Sequence, residues 1–243
     1  MVRYGRALAA SVWLVQDFSR SSVMSLVSTP SAVPVVHPVC AAPLPIVPAA
    51  TFDHLAIHGW AMHDSFLPAA LVQRLADECE MLQRRGDLKP ARVGRAHAQA
   101  AVPQLRGDQI RWLEWGQSSA CDAYLQLMES LRVGLNETFF LGLHNYESHF
   151  AHYAPGRGYA KHLDRFQDDD HRVISVVLYL NADWQDSDGG ALRIHGQGER
   201  LIDVHPRAGR LAIFRSADVL HEVLPATRDR LSLAGWFRRR DLY

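Results

Sequence analysis

The chain of 243 residues is poor in cysteine, with three, at Cys40, Cys79 and Cys121. The number is odd and no two share the spacing of paired ligands, which argues against a disulfide framework or a structural zinc site. Cys79 and Cys121 fall on the apolar sides of predicted helices, where a free thiol packs as a small hydrophobe. A cytoplasmic location is expected. Charge of one sign is missing too: Lys plus Arg and Asp plus Glu number 26 each. A balanced chain lacks the basic surface that a phosphate backbone attracts, so no nucleic-acid partner is expected. The ending Arg238-Arg239-Arg240 reads as a solvated charged end. No run approaches the ~20 apolar residues of a membrane span, so no membrane contact is expected. Arg3 and Arg6 precede the short apolar run Ala7 to Val15, but Asp17 and Arg20 follow without a small-residue cleavage site, against an export signal. There is no internal repeat and no second recognisable domain.

Half of the 12 prolines crowd into residues 30–48, at Pro30, Pro34, Pro38, Pro43, Pro45 and Pro48. Each removes a backbone donor and restricts its predecessor. Residues 1–50 therefore read as an extended, poorly ordered leader, and 51–243 as one domain. Helical spacing of Leu71, Val72, Leu75, Cys79 and Leu82 predicts a helix over 67–85, with Pro68 in its first turn and Gly86 as its stop. A second helix is expected over 118–134, with Ser118 or Ser119 as cap and Ala120, Tyr124, Leu127, Met128 and Leu131 as its buried stripe. Residues 86–107 read as a surface loop that can lie over a substrate groove. From 147 onward the texture changes to short β-rich runs: 148–153, 172–180, 191–195, 200–205, 209–214 and 230–237. Asp188-Gly189-Gly190 and Pro206 to Gly209 are turns between them. The expected fold is α+β, a double-stranded β-helix (jelly roll) over 146–240 backed by helical support over 51–145.

His162-Leu163-Asp164 carries the chemistry. On an extended segment residues i and i+2 face the same way, so one imidazole and one carboxylate are presented together. His221 lies 59 residues later, just past the apolar strand Leu211 to Phe214, where a jelly roll brings distant strands side by side. Two histidines and one carboxylate on one face of a metal leave the opposite positions open, the facial triad of non-haem iron oxygenases. Zinc is satisfied by a closed tetrahedral site and does no redox chemistry.

Arg230 follows on the terminal strand, with Ser232 and Trp236 on the same face by period-2 alternation. Its planar guanidinium can donate two parallel hydrogen bonds to a carboxylate, and Ser232 can add a hydroxyl donor. 2-Oxoglutarate needs this pairing, because one end chelates iron and the distal carboxylate wants a buried cation. Arg228 has the same parity and is the rival anchor.

At this point the chain resembles a known family, the 2-oxoglutarate and iron(II) dioxygenases, in the prolyl 4-hydroxylase branch that holds the oxygen-sensing prolyl hydroxylases and their bacterial relatives. The resemblance spans about residues 55–240. Besides His162-x-Asp164, His221 and Arg230-x-Ser232, it rests on Arg106-Gly107-Asp108 before Trp112, Tyr153-x-Pro155-Gly156 before Gly158-Tyr159, Tyr179-Leu180-Asn181 before Trp184, Gly189-Gly190-x-Leu192-Arg193, and His221-Glu222-Val223. It implies His162, Asp164 and His221 as iron ligands and Arg230 on the 2-oxoglutarate 5-carboxylate. It adds Tyr179 on that same carboxylate, Tyr153 near the iron on the substrate side, and Trp236 packed beside the metal. The implied cofactors are Fe(2+), 2-oxoglutarate and O2 as co-substrates, and L-ascorbate. The implied partner is a protein or peptide whose target proline becomes 4-hydroxyproline, bound between the loop before Trp112 and the polar run Arg165 to His171.

Two other readings stay open on sequence. One is the same chemistry on a free amino acid or small metabolite. The other is a jelly-roll binding module, or a cupin-type metalloenzyme, with no use for Arg230.

Overall fold

Period-2 alternation along four long strands sets this architecture. It is seen in a computed structural model that describes residues 47–92, 102, 105–165, 171–196, 198 and 200–240. The proline-rich stretch before residue 47 lies outside those residues.

The larger sheet has seven antiparallel strands in the order β1-β9-β6-β11-β4-β3-β2. These are β1 (Trp60–His63), β2 (Lys89–Pro90), β3 (Asp108–Trp112), β4 (Leu143–Tyr153), β6 (Arg172–Tyr179), β9 (Leu211–Arg215) and β11 (Arg230–Arg239). The smaller sheet is β5-β10-β7-β8, formed by β5 (Tyr159–His162), β7 (Leu192–His195), β8 (Leu201–Val204) and β10 (His221–Val223). The two sheets make the jelly roll expected from the run of short strands.

Each central strand sends alternate side chains into two different cores. Ile174, Val176 and Leu178 of β6, Leu211 and Ile213 of β9, Phe150 of β4, and Leu231, Leu233 and Phe237 of β11 pack with the helices. The intervening Ala151, Tyr153, Tyr179, Ala212 and Phe214 join Leu192, Ile194, Val204 and Val223 of the smaller sheet. The first core is a mainly apolar scaffold, with the hydroxyls of Tyr124 and Tyr146 paired to each other at 2.6 Å. The second encloses the polar residues treated below.

Three helices cover the outer face: α1 (Ala49–His58), α2 (Ala69–Arg85) and α3 (Ser119–Phe139). In α2, Val72, Leu75, Ala76, Cys79 and Leu82 are buried, Pro68 is the N-cap rather than a first-turn residue, and Gly86 closes the helix in the left-handed region (φ 73°). In α3 the Ser118 hydroxyl accepts from the Cys121 N–H, as its sequence position predicts. The helix runs five residues past the expected end at 134, because Leu135 continues the buried stripe of Met128 and Leu131. The left-handed Phe140 (φ 54°) then ends it.

Neither α1 nor β1 is visible in the sequence pattern. β1 exists because Trp60 to His63 find Phe214 to Leu211 as antiparallel partners, a long-range pairing that leaves no local signal. Lys89–Pro90, inside the expected loop, pairs with Ile110 and Gln109 as the sheet edge, a position that tolerates proline.

Candidate active site

The ladder between β5 and β10 sets His162 directly opposite His221, with ring centroids 4.3 Å apart. Asp164 stands beside them, but not by the route expected. β5 ends at His162, and Asp164 lies on the bend that follows Leu163, so its carboxylate swings back rather than projecting from a strand. Its oxygens lie 3.5 Å from His162 Nε2 and 3.9 Å from His221 Nε2. One ligand atom from each residue falls within 4.8 Å of the other two, close enough to hold one metal ion.

Both imidazoles are aimed by the backbone. His162 Nδ1 lies 2.7 Å from the Ala160 carbonyl and His221 Nδ1 2.9 Å from that of Val219. A carbonyl only accepts, so each Nδ1 carries the proton and each Nε2 turns its lone pair to the shared centre. Burial would raise the Asp164 pKa, but His221, His162 and the Ser175 hydroxyl overcome it and hold the carboxyl well below the usual range. Burial, opposed by Asp164, lowers His221 and favours its neutral, ligating form. Tyr159 stacks flat on His162 at 3.6 Å, and Arg106 lies over Tyr159 at 5.0 Å while gripping the buried Asp108 at 2.8 and 3.0 Å.

Arg230 occupies the other end of the same cavity, whose volume is about 210 Å³. It is 1% exposed. Its Nε donates to the Gly190 carbonyl (2.9 Å) and Nη1 to the Ser232 hydroxyl (3.3 Å), and the rings of Tyr153 and Tyr179 flank it at 5.1 and 5.2 Å. No carboxylate pairs with it among the described residues. An unpaired buried guanidinium is costly, and the fork still free on Arg230 matches a carboxylate brought by a ligand. Among the described residues the buried Tyr179 hydroxyl has no hydrogen-bond partner either, and burial, partly opposed by Arg230, pushes its pKa up to about 12. It therefore stays a neutral donor. Arg228, of the same parity, is 48% exposed and pairs with Asp188 at 3.6 Å outside the cavity.

The frame around Arg230 explains several motif residues. Gly190 has φ 66°, and a Cβ there would meet Ala226, Trp184 and Arg230 at 3.0, 3.1 and 3.3 Å. Only glycine brings the backbone that close. The Trp184 indole donates to the Gly189 carbonyl. Buried Asn181 accepts from the Leu231 N–H and donates to the carbonyls of Leu231 and Pro206, fixing the start of β11 beside Arg230.

A dicarboxylate with a chelating end suits a cavity that has an unpaired cation at one end and a His/Asp/His cluster at the other. Trp236, on the same strand face as Arg230, lines the cavity; Tyr153, expected near the iron on the substrate side, also lines it and lies against Arg230. Sequence reasoning passed over His149 and Ser175. His149 shares strand parity with the cavity residue Tyr153, and Ser175 shares it with the cavity residue Val177, and that parity is the available signal. Of the expected peptide lips, residues 93–101, 103–104 and 166–170 lie outside the described residues. Arg92, Leu163 and Arg172 at their edges line the cavity.

Comparison with known proteins agrees with this geometry. A family profile described as the 2OG-Fe(II) oxygenase superfamily matches residues 148–238. The crystal structure of a Pseudomonas putida prolyl-4-hydroxylase is 52% identical in sequence, covering 79% of this chain and 98% of that one, with a TM-score of 0.72. The chain belongs to the 2-oxoglutarate and iron(II) oxygenases, in their prolyl hydroxylase branch. Human prolyl hydroxylase EGLN3 is similar to this oxygenase at 29% identity over 191 residues, 74% of this chain and 78% of that one. A Trichoplax adhaerens prolyl hydroxylase, solved with a hypoxia-inducible factor peptide, is 25% identical over 77% of this chain and 87% of its own, with a TM-score of 0.66.

Proposed function

We propose that this oxygenase hydroxylates a prolyl residue of a protein substrate to 4-hydroxyproline, with His162, Asp164 and His221 as the iron ligands. Arg230 receives the 5-carboxylate of 2-oxoglutarate, with Tyr179 and Ser232 as hydroxyl partners and Tyr153 beside them. The observation that carries this reading is the unpaired, buried Arg230 in one cavity with a His/Asp/His cluster.

Bound iron, 2-oxoglutarate and O2 together supply the oxidising power that converts a C–H to C–OH, releasing succinate and carbon dioxide. The protein's own part is positional. The carbonyls of Ala160 and Val219 keep both Nε2 lone pairs on the metal side. Asp164, held ionised by its lowered pKa, would be the third ligand of a metal bound by the two imidazoles. Arg230 would anchor the distal carboxylate and so orient the co-substrate within the cavity. Apolar Leu192, Val177 and Val223 line the cavity between and keep water from the reacting carbon. Ascorbate would keep the iron reduced, and a cytoplasmic setting suits the free thiols Cys79 and Cys121. The catalytic unit, expected from residue 51, takes in the whole of α1 and so starts no later than Ala49.

Prolyl chemistry is supported by similarity to prolyl hydroxylases, one of them solved with a bound peptide. The test is succinate release with proline-centred peptides against free amino acids, with mass spectrometry of the product. Peptide hydroxylation at proline supports the proposal. Turnover confined to free amino acids would transfer the same chemistry to a metabolite substrate.

A further inference from the structure

Two residues that line the cavity each carry a buried polar atom with no hydrogen-bond partner among the described residues. His149 on β4 is 1% exposed and Trp236 on β11 is 6% exposed, and both face the cavity. His149 Nδ1 lies 3.1 Å from the Phe150 carbonyl, so it carries the proton and leaves Nε2 as a bare acceptor. Neither His149 Nε2 nor Trp236 Nε1 has a hydrogen-bond partner among the described residues. The ring centroids lie 5.6 Å apart with the planes tilted by 52°, so an acceptor-bearing and a donor-bearing ring are neighbours in the cavity wall. Trp236 lies opposite Ser175 across the ladder, and Ser175 is one of the groups that lower the Asp164 pKa, so this patch adjoins the proposed metal site.

Both rings are held in place. Trp112 meets His149 edge-on at 5.0 Å, and the Arg172 guanidinium covers the Trp236 face at 3.6 Å. Burial, with Arg106 and Arg172 nearby, lowers the His149 pKa to about 4, so it remains an uncharged acceptor at neutral pH.

We infer that His149 and Trp236 form a backbone-reading clamp that receives one extended residue of the peptide substrate, its N–H donating to His149 Nε2 and its C=O accepting from Trp236 Nε1. An extended residue offers both groups to the same side, as in the hydrogen-bonded pairs of an antiparallel ladder. Proline has no N–H, so the clamped residue is a neighbour of the hydroxylated one. His149 is thus a positioning residue. The inference rests on the prolyl-peptide reading above.

The test uses a capped alanine heptapeptide with central proline and a set of analogues N-methylated at one non-prolyl amide each. In the wild-type enzyme one position should raise KM about tenfold on methylation, the size of one hydrogen bond. In His149→Leu the unmethylated peptide should show a similar KM rise, larger than any change in kcat, and the methylation penalty at that position should vanish. His149→Gln, which keeps an acceptor, should recover part of the lost affinity. Anaerobic 2-oxoglutarate binding reports whether each variant keeps an intact pocket. If hydroxylation proceeds with the same methylation penalties in wild type and His149→Leu, or with none, the clamp is wrong and prolyl chemistry stands. If wild type hydroxylates no peptide, the prolyl reading falls and takes the clamp with it.

Discussion

His162 and His221, 59 residues apart in the chain, are direct cross-strand partners between β5 and β10, each with its Nδ1 tied to a carbonyl two residues earlier. The ladder therefore preforms half of the proposed metal site before any ion arrives. Changing His162 to Ala should leave the fold intact, since the side chain is partly exposed, and should weaken iron binding by at least about 100-fold. Anaerobic iron(II) titration with circular dichroism as a fold control checks this.

Arg230 should trade stability for co-substrate binding. Replacing it by Met removes an unpaired buried charge, so the ligand-free protein should melt no lower and gain about 1–2 kcal/mol. Wild type should gain about 2.7 kcal/mol from 2-oxoglutarate at 100 times its Kd, and Arg230→Met nothing. Thermal melts with and without 2-oxoglutarate measure both effects.

Gly190→Ala places a Cβ 3.0–3.3 Å from Ala226, Trp184 and Arg230 at a left-handed φ. The expected cost is about 1–3 kcal/mol in stability. The shift of Arg230 should also raise the KM for 2-oxoglutarate by more than it alters iron affinity. Denaturant unfolding and steady-state kinetics separate the two.

His149 gives a pH signature. Its pKa is about 4 in the fold, against 6.5 ordinarily. Between those values the unfolded chain binds a proton that the folded chain refuses, so stability rises with pH there. The contribution is fully present above pH 6.5 and is lost as pH falls toward 4, at up to about 1.4 kcal/mol per pH unit. His149→Gln should lose less stability than wild type between pH 7 and 4.5, and parallel curves would contradict the buried neutral state.

Much of the site is legible in the sequence because its residues sit at fixed strand parity. Arg230, Ser232 and Trp236 face one cavity since β11 alternates as its pattern predicts. The choice between Arg230 and Arg228 is not legible, because both have the same parity. What separates them is that the strand begins at Arg230, where Asn181 pins the Leu231 backbone, leaving Arg228 outside. Asp164 was expected on a strand face and sits on a bend, since the pairing with β10 runs out at His162. The strand β1 depends on partners far along the chain, Leu211 to Phe214, which no local pattern encodes.

The most direct measurement is an anaerobic titration of the purified chain with iron(II) and then 2-oxoglutarate, followed by the visible metal-to-ligand charge-transfer absorption of the chelated co-substrate. Wild type should bind one iron and then develop the band at one equivalent of 2-oxoglutarate. Asp164→Ala should fail at the first step, and Arg230→Ala should bind iron yet need a far higher 2-oxoglutarate concentration. Full iron binding in Asp164→Ala, or an unchanged 2-oxoglutarate titration in Arg230→Ala, would contradict the placement of metal and co-substrate in this cavity.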